Sequence, residues 1–239
     1  MARVWSASAG TAVVSDAAAL HGYGHLDAGR LDLADAWFAK AVALARQAGD
    51  RPREAYALGS SALPSSLAPA PRQAERATGI AALEAAAGLQ RFLSPAGRAW
   101  VFGYLAREHA ALGRDLASGR FLEQGRTGAA RIRPGGSGWG WWSAYGELHA
   151  IEGARFETFA GVRSVRLGRA SEAIELFDGA LDVTTVPVLR ASWQGRVTEA
   201  CVALGDPATT GRARPPTRSS TRPKRTGLGS IARRSTASA

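Results

Sequence analysis

The chain contains a single cysteine, Cys201, and lacks any long run of apolar residues. One cysteine excludes an internal disulfide framework and fits a reducing compartment. The absence of about 18 consecutive apolar residues excludes a transmembrane helix. Arg3 precedes a mildly apolar stretch, but Ser and Gly dilute it, so a signal peptide is the weaker alternative. We therefore expect a cytoplasmic protein with no membrane partner.

Sequence signatures of catalysis are also scarce. Neither a Gly-rich phosphate loop nor a Gly-x-Ser-x-Gly elbow occurs. His21 and His25 have the spacing of two metal ligands on one helix, but no third ligand is placed beside them. We expect these imidazoles and His109 to be packed side chains, and Cys201 to be a buried, inert thiol. The prediction is a non-enzyme without metal, cofactor or catalytic residue; a metal-dependent enzyme is the alternative.

Positive charge is concentrated at the C-terminus, although the whole chain carries a net charge of +10. Residues 208–239 contain no acidic residue and eight basic ones, so removing these eight from the 30 basic residues leaves 22 against 20 acidic residues. The body of the chain is therefore almost neutral, and nucleic-acid binding through its folded part is not expected.

The C-terminal stretch 208–239 is rich in Arg, Pro, Ser and Thr and has no hydrophobic periodicity, which predicts a disordered basic tail. Nucleic-acid binding through this tail is one alternative function. Our preferred hypothesis is frameshifted translation, because one consistent choice of synonymous codons for 214–230, mostly ending in G or C, encodes an amphipathic helix ending in glycine when read in a shifted frame. We also expect residues 1–10 to be a disordered start.

Alanine is abundant while Val and Ile are few, which favours helix over strand. Ala173, Phe177 and Ala180 share one helical face, since residues three and four apart are neighbours there. Gly168 suits a left-handed residue that closes the preceding helix. Gly161, seven residues earlier, is the small residue of that helix. These positions predict the turn and second helix of a helical hairpin.

The same offsets recur near the start of the chain, in Gly22, Gly29, Ala34, Phe38 and Ala41. This copy predicts helices over about 11–27 and 31–48.

A second, degenerate unit follows this copy. Its first helix is expected over 54–61, where Pro64 and a Pro-rich run interrupt it. Pro71 opens the partner helix, whose predicted buried face holds Ala74, Ile80 and Leu83.

A third unit starts at Ser94 and Pro95, an N-cap followed by proline at the first helical position. Its first helix ends before Gly113, and Leu122 takes the place of the ring in the second helix. A loop over 131–142 then breaks the series. The tryptophans of this break are expected to form a flap over the core edge or a ligand-facing cluster: Trp139, Trp141 and Trp142.

The fourth unit consists of a helix over about 155–167 and the helix that contains Ala173. A fifth unit begins at Val188 and reaches Gly205, but its second helix is missing from the sequence pattern. Residues 11–207 therefore form the predicted repeat domain.

These repeated positions resemble tetratricopeptide repeats, units of about 34 residues with two antiparallel helices. The arrangement is similar to the C-terminal sensory half of lambda-repressor-like helix-turn-helix transcriptional regulators from GC-rich bacteria. The resemblance implies a right-handed solenoid that recognises a protein, peptide or small effector and controls an N-terminal DNA-binding head. About ten residues precede the first repeat, so we expect a truncated regulator, and no residue inherits a DNA-binding role. A free-standing scaffold protein is the alternative.

In stacked helix pairs the first helices line a concave face. Counting equivalent positions in the first helix of each repeat predicts a ligand or peptide groove on this face. The residues predicted to line it are Asp16, Tyr23, Trp100, Arg107, Arg155, Thr158 and Glu199.

Overall fold

The computed structural model describes residues 7–67, 73–132, 153–183 and 187–205, and every regular element in those ranges is a helix. The all-α class predicted from the alanine content is confirmed there. In chain order the α-helices are α1 (Ala7–Asp27), α2 (Leu31–Ala48), α3 (Arg51–Ser61), α4 (Leu63–Leu67), α5 (Gln73–Gly88), α6 (Pro95–Ala111), α7 (Asp115–Ala129), α8 (Gly153–Arg166), α9 (Ala170–Val183) and α10 (Pro187–Ala203), with a 3-10 helix at Gln90–Phe92.

A Gly–Arg turn of the same design joins α1 to α2, α6 to α7 and α8 to α9. Its glycines, Gly29, Gly113 and Gly168, have φ angles of 70°, 70° and 74°, which only glycine adopts without strain. Each glycine N–H donates to the carbonyl three residues earlier, and the following arginine N–H donates to the carbonyl five residues earlier. These paired bonds satisfy the last carbonyls of the first helix and turn the chain back.

Close contact between the helices of a pair depends on a glycine facing a ring. A Cβ on Gly22 would lie 2.6 Å from Cε1 of Phe38, and a Cβ on Gly161 would lie 2.8 Å from Cε1 of Phe177. Both rings are completely buried. The flanking small residues are buried as well: Ala34, Ala41, Ala173 and Ala180.

The pair α6–α7 solves the same packing problem with different residues. Leu122 replaces the ring and is 4% exposed. Ser118 replaces the first alanine, and its Oγ donates a 2.7 Å hydrogen bond to the Ala106 carbonyl. A Cβ on Gly125 would lie 2.4 Å from Cζ of Phe156, so this glycine admits a ring from α8.

Pro64 interrupts the second unit less than the sequence predicts, whereas the Pro-rich run after Leu67 lies outside the described residues. Ala62 alone separates α3 from α4, and Pro64 is the second residue of α4, where its missing N–H would have no helical partner. Ile80 and Leu83 are buried in α5 as expected, but Ala74 is exposed because the buried positions of this helix follow the register of Arg76.

Consecutive helices are joined by three apolar clusters. The largest lies among α1, α2, α3, α5 and α6, the second among α6, α7 and α8, and the third among α8, α9 and α10. Helix α6 therefore contributes to the first two clusters and α8 to the last two.

Several sequence predictions fall wholly or partly outside the described residues. The tryptophan segment, the basic tail and the start before Ala7 lie there. Helix α1 begins at Ala7, so residues 7–10 are helical rather than part of a disordered start. Among the described residues, no helix combines the length and apolar character needed to cross a membrane.

We predict that Gly161→Ala lowers the free energy of unfolding by about 1–3 kcal/mol, because the added methyl overpacks the Phe177 ring. Gly179→Ala, on the open face of α9, is the matched control. It should raise stability by up to about 1 kcal/mol through helix propensity. Urea unfolding of both variants measures the difference. Equal stability of the two would contradict the close contact.

Candidate ligand-binding face

A row of aromatic side chains crosses four helices on one side of the molecule. This aromatic row comprises one ring of α1, one of α3, two of α6 and one of α8. Ring centroids are 6.4, 6.3, 4.7 and 5.2 Å apart along the series Tyr23, Tyr56, Trp100, Tyr104 and Phe159. Tyr56 is buried and the other four rings are partly exposed. The row therefore forms an amphipathic surface rather than an enclosed core.

Two glycines bring neighbouring helices close enough for this row to form. A Cβ on Gly59 of α3 would lie 2.3 Å from Cζ3 of Trp100, and one on Gly103 of α6 would lie 2.7 Å from Cδ2 of Phe159. Each glycine is thus covered by a ring from a helix later in the chain, α6 for Gly59 and α8 for Gly103. Larger residues at either position would displace the row.

A buried ionic network lies directly beside the row, at the end of α6. Glu108 is 2% exposed, and Oε1 accepts hydrogen bonds from Ser66 at 2.7 Å and Arg107 at 2.9 Å. Oε2 accepts from Arg76 at 2.6 Å. The Arg107 guanidinium also lies 4.3 Å from the Tyr104 ring centre, within cation–π range. The network therefore connects α4, α5 and α6 to the aromatic row.

Electrostatics keep Glu108 ionised in this buried position. Burial by itself would raise its pKa, but the Arg107 charge, the Ser66 hydrogen bond and the Arg76 charge outweigh burial and lower the pKa. A carboxylate with two guanidinium partners is the arrangement in which a buried charge is tolerated.

Further arginines extend positive charge from α6 toward α8 and α10. Partial burial of its guanidinium lowers the pKa of Arg166, although the residue as a whole is exposed. The nearby charges of Arg107, Arg76 and Arg196 lower the pKa further, while Glu199 opposes them. Arg196 pairs with Glu199 at 2.7 Å. We call the four guanidinium groups the arginine cluster: Arg76, Arg107, Arg166 and Arg196. Together with Glu108 and Glu199, these four groups carry a net charge of +2.

Three of the predicted groove residues belong to this surface. Tyr23 and Trp100 are members of the aromatic row, and Arg107 lies against it. Asp16 lies on α1 and accepts hydrogen bonds from Arg53 Nε at 3.0 Å. Burial raises the Asp16 pKa despite this partner. Because Arg53 already occupies both carboxylate oxygens, a ligand would have to compete with it.

The remaining predicted groove residues are less accessible or differently placed. Thr158 is 3% exposed, which leaves it little surface for a ligand. Glu199 belongs to the ion pair on α10. Arg155 is part of α8, but its side chain lies outside the described portion of the structure.

Tyr56, Tyr104 and Phe159 complete the row but are missing from the predicted set. Tyr104 follows Trp100 by one helical turn, and that spacing alone places the two side chains on one face. Tyr56 has no such signal. Ala62, the residue after α3, has a right-handed conformation, so α3 has no turn glycine from which equivalent positions can be counted.

Other candidate chemical groups have packing roles. His109 is 6% exposed and packs against Phe121 at 5.0 Å, and burial lowers its pKa. His21 is exposed and stacks on Trp37 at 4.7 Å. Cys201 is a buried free thiol. In the described ranges, no group of three or more His, Cys, Asp or Glu side chains could hold a metal ion.

The arrangement is suited to binding: it offers ring faces for stacking and guanidinium donors for an anion. The described residues define an all-α protein in which hairpins of helices present a shared aromatic and basic face. Comparison with protein-family models and with curated proteins found no match for the chain.

We predict that Glu108→Gln lowers the free energy of unfolding at pH 7 by about 3–5 kcal/mol, since Arg76 and Arg107 lose their shared counter-charge. Because folding lowers the Glu108 pKa, the ionised carboxylate stabilises the folded state at pH values above its ordinary pKa of 4.5. This stabilisation is lost as the pH falls below 4.5 and through the lowered pKa. The variant should therefore lose less stability on acidification. Urea unfolding from pH 7 to pH 3 tests both effects.

Glu175→Gln is the matched control, since Glu175 lies exposed on α9. If the two variants showed the same stability and the same acid profile, the proposed role of the Glu108 network would be wrong.

Proposed function

We propose that the chain is a tetratricopeptide-like repeat domain that recognises a protein, peptide or small effector without catalysis. Its cellular role in this proposal is that of the cytoplasmic sensory part of a transcriptional regulator. The observation that carries the proposal is the aromatic row, which runs across four helices and remains partly exposed. Large rigid rings beside guanidinium groups are frequent anchors of binding surfaces.

The repeated hairpin supports the architectural half of the proposal. Three joints share one turn design, and each apolar cluster is continued by a helix of the next hairpin. Hairpins that contact only their neighbours are the building principle of a solenoid. In a right-handed solenoid the row would lie on the concave face, where the first helices of successive pairs meet.

The proposed mechanism is conformational. A ligand that contacts α3, α6 and α8 together binds one curvature of the stack better than another, and this difference in affinity shifts the population of curvatures. An attached domain would respond to that shift. Such coupling requires only differential contacts to the face and no chemical step.

We predict that peptides selected from a random displayed library against the wild-type chain lose affinity at least about tenfold for the Trp100→Ala variant. The reason is that Trp100 lies at the centre of the aromatic row. Titration of each selected peptide by isothermal calorimetry measures the loss. Trp37→Ala is the matched control, because Trp37 is a partly buried tryptophan of α2 that is not part of the row.

Circular dichroism and thermal melting establish that both variants are folded before binding is compared. Selected peptides that depend equally on Trp37 and Trp100, or on Trp37 alone, would show that binding occurs elsewhere and would contradict the proposal.

The basic tail supports a second candidate function, nucleic-acid binding, because residues 208–239 contain eight basic residues and no acidic one. If this function holds, deletion of 208–239 abolishes DNA affinity that falls steeply with salt concentration in the full chain. Fluorescence anisotropy with a labelled duplex tests this. Affinity that survives the deletion would contradict a role for the tail.

A further inference from the structure

Arg107 is a buried cation whose hydrogen-bonding capacity is incompletely used. Only 8% of the residue is exposed, and Nε donates to Glu108. Its Nη2 is buried and has no hydrogen-bond partner among the described residues. A buried N–H on a charged group is costly to leave unpaired, so a missing acceptor is expected at this position.

In the structure, Glu108 does not supply that acceptor. Its Oε1 already accepts from Ser66 and Arg107, and Oε2 accepts from Arg76. Arg166 of α8 is exposed and lies within range of the Arg107 charge, and Glu199 is engaged with Arg196. The surplus of two positive charges in the arginine cluster therefore has no fixed counter-charge among these groups.

We propose that the arginine cluster binds a carboxylate or phosphate group of the ligand, with Nη2 of Arg107 as the inner donor and Arg166 as the outer donor. This inference rests on the proposed function, because it assigns the chemistry of the ligand that the face recognises. Carboxylate and phosphate oxygens form short, strong hydrogen bonds with guanidinium groups, and both accept bidentate contacts.

The surroundings of the anion define a second part of the ligand. The Arg107 guanidinium covers the Tyr104 ring, and Tyr104 is flanked by Trp100 at 4.7 Å and Phe159 at 5.2 Å. An anion bound at the cluster therefore has partly exposed ring faces beside it. The ligand class is an anionic group joined directly to an aromatic or other flat apolar group.

The experiment titrates the full chain by calorimetry with four probes: inorganic phosphate, phenyl phosphate, acetate and benzoate. The two phosphates test a phosphoryl group and the two carboxylates test a carboxyl group. In whichever series binds, the phenyl-bearing probe should bind at least about tenfold more tightly than the simple anion, because it also contacts the aromatic row. Binding by none of the four probes would overturn the inference.

Arg166→Gln is the decisive variant, since this exposed side chain can be changed without removing a partner of Glu108. It should weaken the binding probe at least about tenfold, as expected for loss of a hydrogen bond to a charged group. Arg120→Gln, an exposed arginine of α7, makes the same change in net charge and should leave affinity within about twofold. If both variants weakened binding equally, the anion would be attracted by the net charge of the protein rather than by a defined site, and the inference would be overturned.

Arg107→Lys tests the inner donor, because it keeps the positive charge beside Glu108 but removes Nη2. Weaker binding by a folded variant supports the inner donor, and unchanged binding refutes it. Failure of the inference remains distinguishable from failure of the proposed function. If neutral peptides lose affinity for the Trp100→Ala variant but not for the Arg166→Gln variant, the recognition face stands and only the anion site is refuted.

Discussion

Contact between a hydrogen atom and an aromatic ring is the constraint on which this structure depends. Gly22 faces Phe38 and Gly161 faces Phe177 within a hairpin, while Gly59 faces Trp100 and Gly103 faces Phe159 between hairpins. Each ring occupies the space where a Cβ would otherwise stand. The small residue fixes the separation of two helices and the ring fills the interface, so the core needs few large aliphatic side chains.

The same device explains why the candidate face is aromatic. Two of the rings used between hairpins, those of Trp100 and Phe159, are not completely enclosed. Trp100 and Phe159 therefore contribute one part of their surface to cohesion and another to the outside. Arg107 continues this double use, since it neutralises Glu108 within the protein and also lies against Tyr104. The core and the proposed recognition face therefore share these side chains.

The sequence was most informative for residues whose structural role depends only on their neighbours in the chain. Gly168 and its counterparts at 29 and 113 are required by the backbone of the turn, so the helices around them could be located closely. Ser94 likewise caps α6 by accepting a 3.1 Å hydrogen bond from Gly97 N–H. Both features depend on residues within one helical turn, which a linear pattern records.

Contacts between helices that are distant in the chain could be predicted from the sequence only in part. Tyr23, Trp100 and Arg107 follow from counting back from the turn glycines, but that count has no starting point in α3, and Tyr56 was missed for this reason. The ionic network could not be predicted either. Ser66 and Arg76 reach Glu108 from 42 and 32 residues away, across the very segment whose prolines obscured the repeat.

The Gly–Arg turn has a further consequence for how such a chain can change over time. Every hydrogen bond that defines the joint begins and ends within a few residues of it, so the joint carries its own geometry wherever it is placed. A gene segment encoding one hairpin could be copied, lost or exchanged while the remaining joints keep their shape. The number of hairpins, and with it the length of the proposed recognition face, could then vary between descendants of such a gene while each joint stays the same.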